Sequence, residues 1–312
     1  MDNLSQLPKK IVDNMEKVII GKRQVLELVV ISLLASGHVL IEDVPGIGKT
    51  SMVSALSKSL GLKFKRIQFT PDILPSDITG FSMYNKHTGD FEFKPGSIMS
   101  NIILADEINR TSPKTQASML EVMEERQVTV DGNTYKLPNP FMVLATQNPV
   151  EYLGTYPLPE AQLDRFLMKI AIGYPSQKEE INILNVYKES NPLDTLTKVV
   201  SGEDVLKMQQ LVKRVKVNDV LNEYVVNIIS KTRMHRSVTL GCSPRASLLL
   251  IRAAQAKAFI EERDFITPDD IKYLAAAVLS HRLILKQEEQ LKNVDPSEII
   301  EDVLKIVKVP IR

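Results

Sequence analysis

The chain has 312 residues, 44% of them hydrophobic and 25% charged. These proportions supply enough apolar surface for a core and exclude intrinsic disorder, and the length suggests two domains. Lys+Arg 39 against Asp+Glu 38 leaves a formal net charge of +1, so no global field draws the protein to nucleic acid or an anionic membrane.

The N-terminus, Met1-Asp2-Asn3-Leu4-Ser5, lacks the basic-then-apolar order of a signal peptide. Residues 10–35 read as helix with a break near Ile19-Ile20-Gly21-Lys22. The longest apolar run, Leu28 to Ala35, is broken by Ser32. It falls far short of the roughly 20 residues a membrane span needs, so no transmembrane segment is expected. Val39-Leu40-Ile41 is a short apolar run before a Pro/Gly-rich turn and suits a buried strand. Lys49 to Leu60 has helical apolar spacing, with Gly61 as its stop. Further strands are expected at Phe64–Gln68, Ile102–Ala105, Met142–Thr146 and Leu167–Ile172. Helical stretches separate most of them, which implies an α/β domain with a mostly parallel sheet covered on both faces.

Two hairpins interrupt that alternation. Asp131-Gly132 lies between β-formers, a strong hairpin signal. The segments Phe81–Tyr84 and Asp90–Phe93 flank Asn85–Gly89, a weaker case. After Tyr174-Pro175 the pattern is helical only, which sets a domain boundary at about 175. Split there, the halves carry −1 and +2, so neither hides a basic arm. Cys242 is the single cysteine. It excludes an intrachain disulfide and a four-thiolate zinc site, and it favours a reducing, cytoplasmic compartment. Ser243-Pro244 and Thr267-Pro268 each read as an N-cap followed by proline at the first helical position.

Chemistry enters at the strand ends. Asp43-Val44-Pro45-Gly46-Ile47-Gly48-Lys49-Thr50 lies between a strand and a helix. The generic phosphate loop is G-x-x-x-x-G-K-[ST], and Asp43 stands where its first glycine would be. Gly46 and Gly48 let the backbone wrap around phosphate oxygens. The helix beginning Lys49-Thr50-Ser51 would offer its unpaired N–H groups and dipole. Lys49 would reach the β- and γ-phosphates of ATP, and the Thr50 hydroxyl would ligate Mg²⁺. The alternative is a Gly/Pro turn before an ordinary amphipathic helix. Ile102-Ile103-Leu104-Ala105 ends in Asp106-Glu107. Asp106 suits an Mg²⁺-linked carboxylate, and Glu107 suits a general base for the attacking water. Without the phosphate loop, the pair would read as a solvated strand end.

Met142–Thr146 ends at Gln147-Asn148-Pro149, and an amide there can position water against a γ-phosphate. Asn-Pro is also a common turn. Arg165 precedes the last core strand and, as an isolated residue, reads as a surface arginine paired with Asp164 or Glu160. Arg245 lies in the first turn of a helix, where a cation opposes the dipole, which favours a phosphate-binding role.

Together these motifs resemble the AAA+ ATPases, most closely the MoxR family, over nearly the whole chain. The most specific segments are Ala105-Asp106-Glu107-Ile108-Asn109-Arg110, Glu124-Glu125-Arg126-Gln127-Val128-Thr129-Val130-Asp131-Gly132, Ala145–Pro149, Gly154–Phe166 and Ser243-Pro244-Arg245-Ala246. The resemblance implies a P-loop core over 1–175 with a five-stranded parallel sheet in order 5-1-4-3-2, and a helical lid over 176–312. It implies Asn148 as sensor 1 and Arg165 as an arginine finger reaching a neighbouring subunit's nucleotide. Arg245 would be sensor 2 on the lid, closing over the phosphates. Ile20 and Gly21 would line the adenine pocket. The hairpin at about 81–97 would be the helix-2 insert, and that at about 126–138 the pre-sensor-1 insert.

Expected partners are copies of this chain in a hexameric ring, a protein client and a von Willebrand factor A domain protein. An arginine supplied in trans is worth roughly 10³–10⁵ in rate in other phosphoryl-transfer enzymes, so a monomer should be a poor ATPase. The expected function is Mg²⁺-dependent ATP hydrolysis driving remodelling, maturation or assembly of a protein client. A nucleic-acid motor and a metal-chelatase motor subunit are the alternatives. The balanced charge and the absence of aromatic/basic interleaving weigh against the first. A GTPase is disfavoured because Asn85-Lys86-His87-Thr88 lacks the aspartate of a guanine reader.

Overall fold

The computed structural model describes residues 4–148, 154–188 and 190–310. Met1–Asn3 of the N-terminal reading and Pro149 lie outside them. The helical stretch expected over 10–35 with a break near Ile19–Lys22 is two helices, Leu7–Glu16 and Arg23–Leu34. Gly21 at φ +75° turns the chain between them, and a Cβ there would overlap the Glu179 side chain.

Strand β1 (Val39–Glu42) leads through the phosphate loop to the helix Lys49–Leu60. β2 (Phe64–Gln68) follows, then a short helix, Pro75–Thr79. β3 (Gly80–Tyr84) and β4 (Phe91–Pro95) form an antiparallel hairpin. β5 (Ile102–Asp106) precedes the helix Pro113–Glu125. β6 (Gln127–Val130) and β7 (Asn133–Lys136) form the second hairpin, with Asp131 and Gly132 both at positive φ as a tight primed turn requires. The rings of Phe93 and Tyr135 stack at 3.9 Å and join the two hairpins. β8 (Met142–Gln147) and β9 (Met168–Ile170) complete the core.

The main sheet is parallel, in the order β2-β5-β8-β1-β9. Counting only its five strands along the chain, that is 2-3-4-1-5, the expected 5-1-4-3-2 read from the other edge. Successive residues point to opposite faces, as a strand requires. Val39 and Ile41, Ile102 and Leu104, and Met142 and Leu144 join a core shared with the N-terminal and C-terminal helices. Leu40, Ile103, Ala105, Val143 and Ala145 point the other way, into a smaller core under the helix Pro113–Glu125.

Beyond β9 the chain is mainly helical: Gln177–Tyr187, Gly202–Val212, Asp219–Met234, Pro244–Ile260, Pro268–Leu279 and Pro296–Ile306 are its longer helices. It is not helical throughout. β10 (Val238–Leu240) and β11 (Ile284–Leu285) pair antiparallel. Three- and two-residue strands are too short to show a period of two. Thr267 caps its helix in a reciprocal box with Asp270. Ser243 occupies the N-cap position, but no side-chain bond caps that helix; its hydroxyl turns to Asp164.

Candidate functional site

The phosphate loop, the carboxylates and the amide meet at the C-terminal ends of β1, β5 and β8, where ligands bind in open α/β sheets. Pro45, Gly46, Gly48, Lys49, Thr50, Ser51, Arg66, Gln68, Asp106, Glu107 and Asn148 line one cavity of about 260 Å³. Gly46 and Gly48 sit at φ +85° and +89°, so their left-handed backbone is what demands glycine. No side chain caps the helix that starts at Lys49, which leaves its N–H groups for an anion. The Lys49 ammonium rests on the Asp43 carbonyl oxygen. Burial pushes its pKa down, while the carboxylates of Asp43, Asp106 and Glu107 pull it back up.

Asp43 does not aim its carboxylate at the phosphate cavity. Oδ1 accepts from the Val44 N–H at 2.9 Å, and Oδ2 accepts from the N–H groups of Ile172 (2.8 Å) and Gly173 (2.7 Å). The residue standing at the first-glycine position therefore ties the start of the loop to the chain leaving β9.

Four side chains hold the two acids. The Thr146 hydroxyl donates to Asp106 Oδ1 at 2.6 Å and accepts the Glu107 N–H at 2.9 Å. Arg66 donates to Asp106 Oδ2 from Nε (3.1 Å) and Nη2 (2.6 Å). Gln68 Nε2 donates to Glu107 Oε2 at 2.9 Å, and Arg110 Nε lies 3.1 Å from that oxygen. Glu107 takes a left-handed backbone, φ 58° and ψ 50°, a strain of order 1–3 kcal/mol kept at functional sites. Asn148 is buried and lines the same cavity.

A second cavity of about 180 Å³ adjoins the first, sharing Gly46, Gly48 and Ser51. Its walls are mainly apolar: Val18, Ile19, Ile20, Ile47, Ile172, Ile183 and Tyr187. A flat base fits such a slot at the far end of a phosphate track. Ile20 lines it, whereas Gly21 supplies the turn behind it. Val44 lies on the loop with its N–H on Asp43.

The structure does not bring Arg165 and Arg245 to these cavities. Both contact Glu124: Arg165 Nε lies 3.3 Å and Arg245 Nη1 2.7 Å from its carboxylate. Glu124 ends a helix whose neighbouring residues contact the entry to β1. Met123 O accepts from the His38 ring, and Arg126 donates to Ser36 O. Arg165 itself precedes β9. The pair therefore sits at the N-terminal edge of the sheet, opposite the phosphate loop. The sequence expectation has Arg245 closing over the phosphates; in this chain it stands at Glu124, away from the chain's own phosphate loop.

A family model described as "ATPase family associated with various cellular activities (AAA)" matches residues 38–168, and an AAA lid domain model matches residues 230–303. The Chaperone MoxR1 of Mycobacterium tuberculosis is 40% identical over 304 residues, 95% of this chain and 80% of that one. The chain belongs to the MoxR family of AAA+ ATPases. The uncharacterized protein YeaC of Bacillus subtilis is 54% identical over 311 residues, 100% of this chain and 97% of YeaC. The crystal structure of a putative ATPase from Cytophaga hutchinsonii superposes with a TM-score of 0.92 at 41% identity, covering 99% of this chain and 96% of that one. As a MoxR-family AAA+ ATPase the protein binds nucleotide and hydrolyses ATP, and AAA+ proteins generally form rings. No helix among the described residues is long and apolar enough to cross a membrane.

Sequence reading missed Arg66, Gln68 and Thr146. The first two lie on the edge strand β2, which carries no motif. Its polar residues Lys65, Arg66 and Gln68, set around the apolar Ile67, are the available signal. Thr146 reads as one more strand residue until β8 is placed beside β5.

Proposed function

We propose that this ATPase uses Mg²⁺-dependent ATP hydrolysis in a ring of identical subunits to remodel or assemble a protein client. The observation that carries the reading is the division of the machinery between the two edges of one sheet. The phosphate loop, Asp106, Glu107 and Asn148 lie at one edge, and Arg165 and Arg245 at the other. A subunit so built completes a site only with a neighbour.

Lys49 and the helix N-terminus bind the β- and γ-phosphates. The hard oxygen donors Thr50 and Asp106 suit Mg²⁺, which needs few protein ligands when phosphates supply the rest. A cation already sits at Asp106: the Arg66 guanidinium. The metal would neutralise charge between the β- and γ-phosphates. Glu107 accepts a proton from the attacking water, and Asn148 orients that water. Gln68 and Arg110 hold the Glu107 carboxylate and must release it for that task. Arg165 and Arg245 are both about a third exposed, and such ion pairs are worth only about 0–1 kcal/mol. Glu124 therefore gives them up readily to a triphosphate. The balanced charge and single buried cysteine support a protein client in the cytoplasm over a nucleic-acid track. The MoxR1 relative's description as a chaperone supports the same reading. A von Willebrand factor A domain protein is the partner class we expect.

The test is the Glu107→Gln variant. It should bind ATP and hydrolyse it at least about a hundredfold more slowly, the scale of general-base loss. In the ATP-bound state it should retain specific proteins on purification. ATP-dependent binding of single-stranded DNA, measured by fluorescence anisotropy, with no retained protein would overturn the client reading.

A further inference from the structure

The two arginines are held by more than Glu124. Asp164, next to Arg165, receives a second arginine from the far end of the lid. Arg282 Nε donates to Asp164 Oδ1 at 2.7 Å, and Nη2 donates to the Asp164 carbonyl at 3.2 Å. Nη2 also donates to Phe166 O, and Nη1 to Leu167 O and Val278 O. The His281 ring lies against the same nitrogen, its Nε2 2.6 Å from Nη1. Burial and the neighbouring Arg282 charge drive the His281 pKa well down, which keeps the ring neutral beside the guanidinium. The Arg282 side chain is 2% exposed. The other Asp164 oxygen, Oδ2, takes the Ser243 hydroxyl at 3.3 Å. Ser243 is the residue that would otherwise cap the helix carrying Arg245.

A buried ion pair is a poor way to gain stability, since apolar side chains of similar volume do as well or better. What an arginine supplies and an apolar group cannot is a rigid fork of donors. Here most of the fork is spent on one segment, residues 164–167, and the rest on the lid's own Val278 carbonyl. The remaining Asp164 oxygen is spent on the start of the Arg245 helix. Arg165 and Arg245 are thereby bracketed by a single carboxylate.

We propose that the Asp164–Arg282 pair is a positioning device that clamps the segment bearing Arg165 to the lid helix bearing Arg245, so that both arginines reach a neighbouring subunit's nucleotide as one unit. The proposal rests on the trans reading above. Neither Asp164 nor Arg282 touches nucleotide; both act through the arginines they hold. Misplacing a reacting group by about 1 Å can cost about a hundredfold in rate. Loosening the clamp should therefore lower kcat and leave each subunit's own ATP site intact.

The experiment compares Arg282→Ala and Arg165→Ala, alone and mixed with Glu107→Gln. The Glu107→Gln subunit offers intact arginines but a dead site of its own. Arg282→Ala alone should keep ATP affinity within about twofold while kcat falls about ten- to a hundredfold. Mixing with Glu107→Gln should restore turnover at the Arg282→Ala subunits' own sites. Unchanged kcat for Arg282→Ala overturns the proposal. So does a loss that mixing does not rescue while Arg165→Ala is rescued, because the damage is then within the subunit. If Arg165→Ala is not rescued either, the trans reading fails and takes the proposal with it. Should Arg282→Ala fail to fold, the near-isosteric Asp164→Asn variant enters the same assay and is judged by the same outcomes.

Discussion

Thr146 shows how much of the chemistry rests on one hydroxyl. It is fully buried, donates to Asp106 and accepts from the backbone of Glu107. Glu107 needs that second bond more than most residues would. Its left-handed backbone is strained, and the Thr146 oxygen is what satisfies its N–H. Thr146→Val keeps the shape and removes both bonds. It leaves a buried N–H unpaired, at a cost of about 1–3 kcal/mol. If that cost falls on the catalytic position of Glu107, turnover should drop by about 5- to 150-fold. ATP affinity should hold, because Lys49 and the phosphate loop are untouched. Single-turnover hydrolysis beside calorimetric ATP binding would check both halves. Loss of affinity with normal turnover would show that the bonds serve the loop instead.

At the scale of elements, His38 pins three of them together. Its Nε2 donates to Met123 O at 3.0 Å, at the end of the helix Pro113–Glu125, and Nδ1 accepts from the Val143 N–H of β8 at 3.0 Å. The ring stands one residue before β1. Both bonds require the neutral tautomer with the proton on Nε2, and burial lowers the pKa from 6.5 to about 4. The unfolded chain accepts a proton below about 6.5, whereas the folded chain refuses it until about 4. Stability from this group is therefore complete above pH 6.5 and is lost as pH falls toward 4, by up to about 3 kcal/mol. His281, also buried with a lowered pKa, adds loss in the same direction. Urea midpoints should fall between pH 7.5 and 5, and His38→Gln should flatten part of that slope. An unchanged slope in the variant would place the pH dependence elsewhere.

Elements also show what a sequence can disclose. The phosphate loop and the Asp106-Glu107 strand end were legible because their chemistry is local: glycines, a lysine and carboxylates beside an apolar strand. The sheet order came with the resemblance and not from periodicity. The Arg66 and Gln68 contacts were hidden because they depend on which strand lies beside β5. Ser243 reads in the sequence as a helix cap. Asp164, more than seventy residues away in sequence, claims its hydroxyl instead. The position of Arg245 was illegible for the same reason, since it follows from where the lid docks and no local pattern reports docking.

For the whole molecule, the decisive question is which nucleotide Arg245 serves. Its contact with Glu124 beside Arg165 places it at the N-terminal edge of the sheet, while the phosphate loop stands at the C-terminal edge. The N-terminal and C-terminal helices share one continuous core with the sheet, so bringing Arg245 to its own phosphates would break apolar contacts throughout that core. Exchanging an exposed partner such as Glu124 for a neighbour's phosphate costs far less. Ring assembly therefore satisfies both arginines without moving the lid. Arg245→Ala alone should lose turnover while retaining ATP binding. Mixed with Glu107→Gln, it should regain activity, because the neighbour then presents an intact Arg245 to its working site. A sensor acting on its own subunit's phosphates cannot be replaced from outside. Activity that stays low in mixed rings, with Arg165→Ala rescued in parallel, would return Arg245 to its own subunit and require a lid position different from this one.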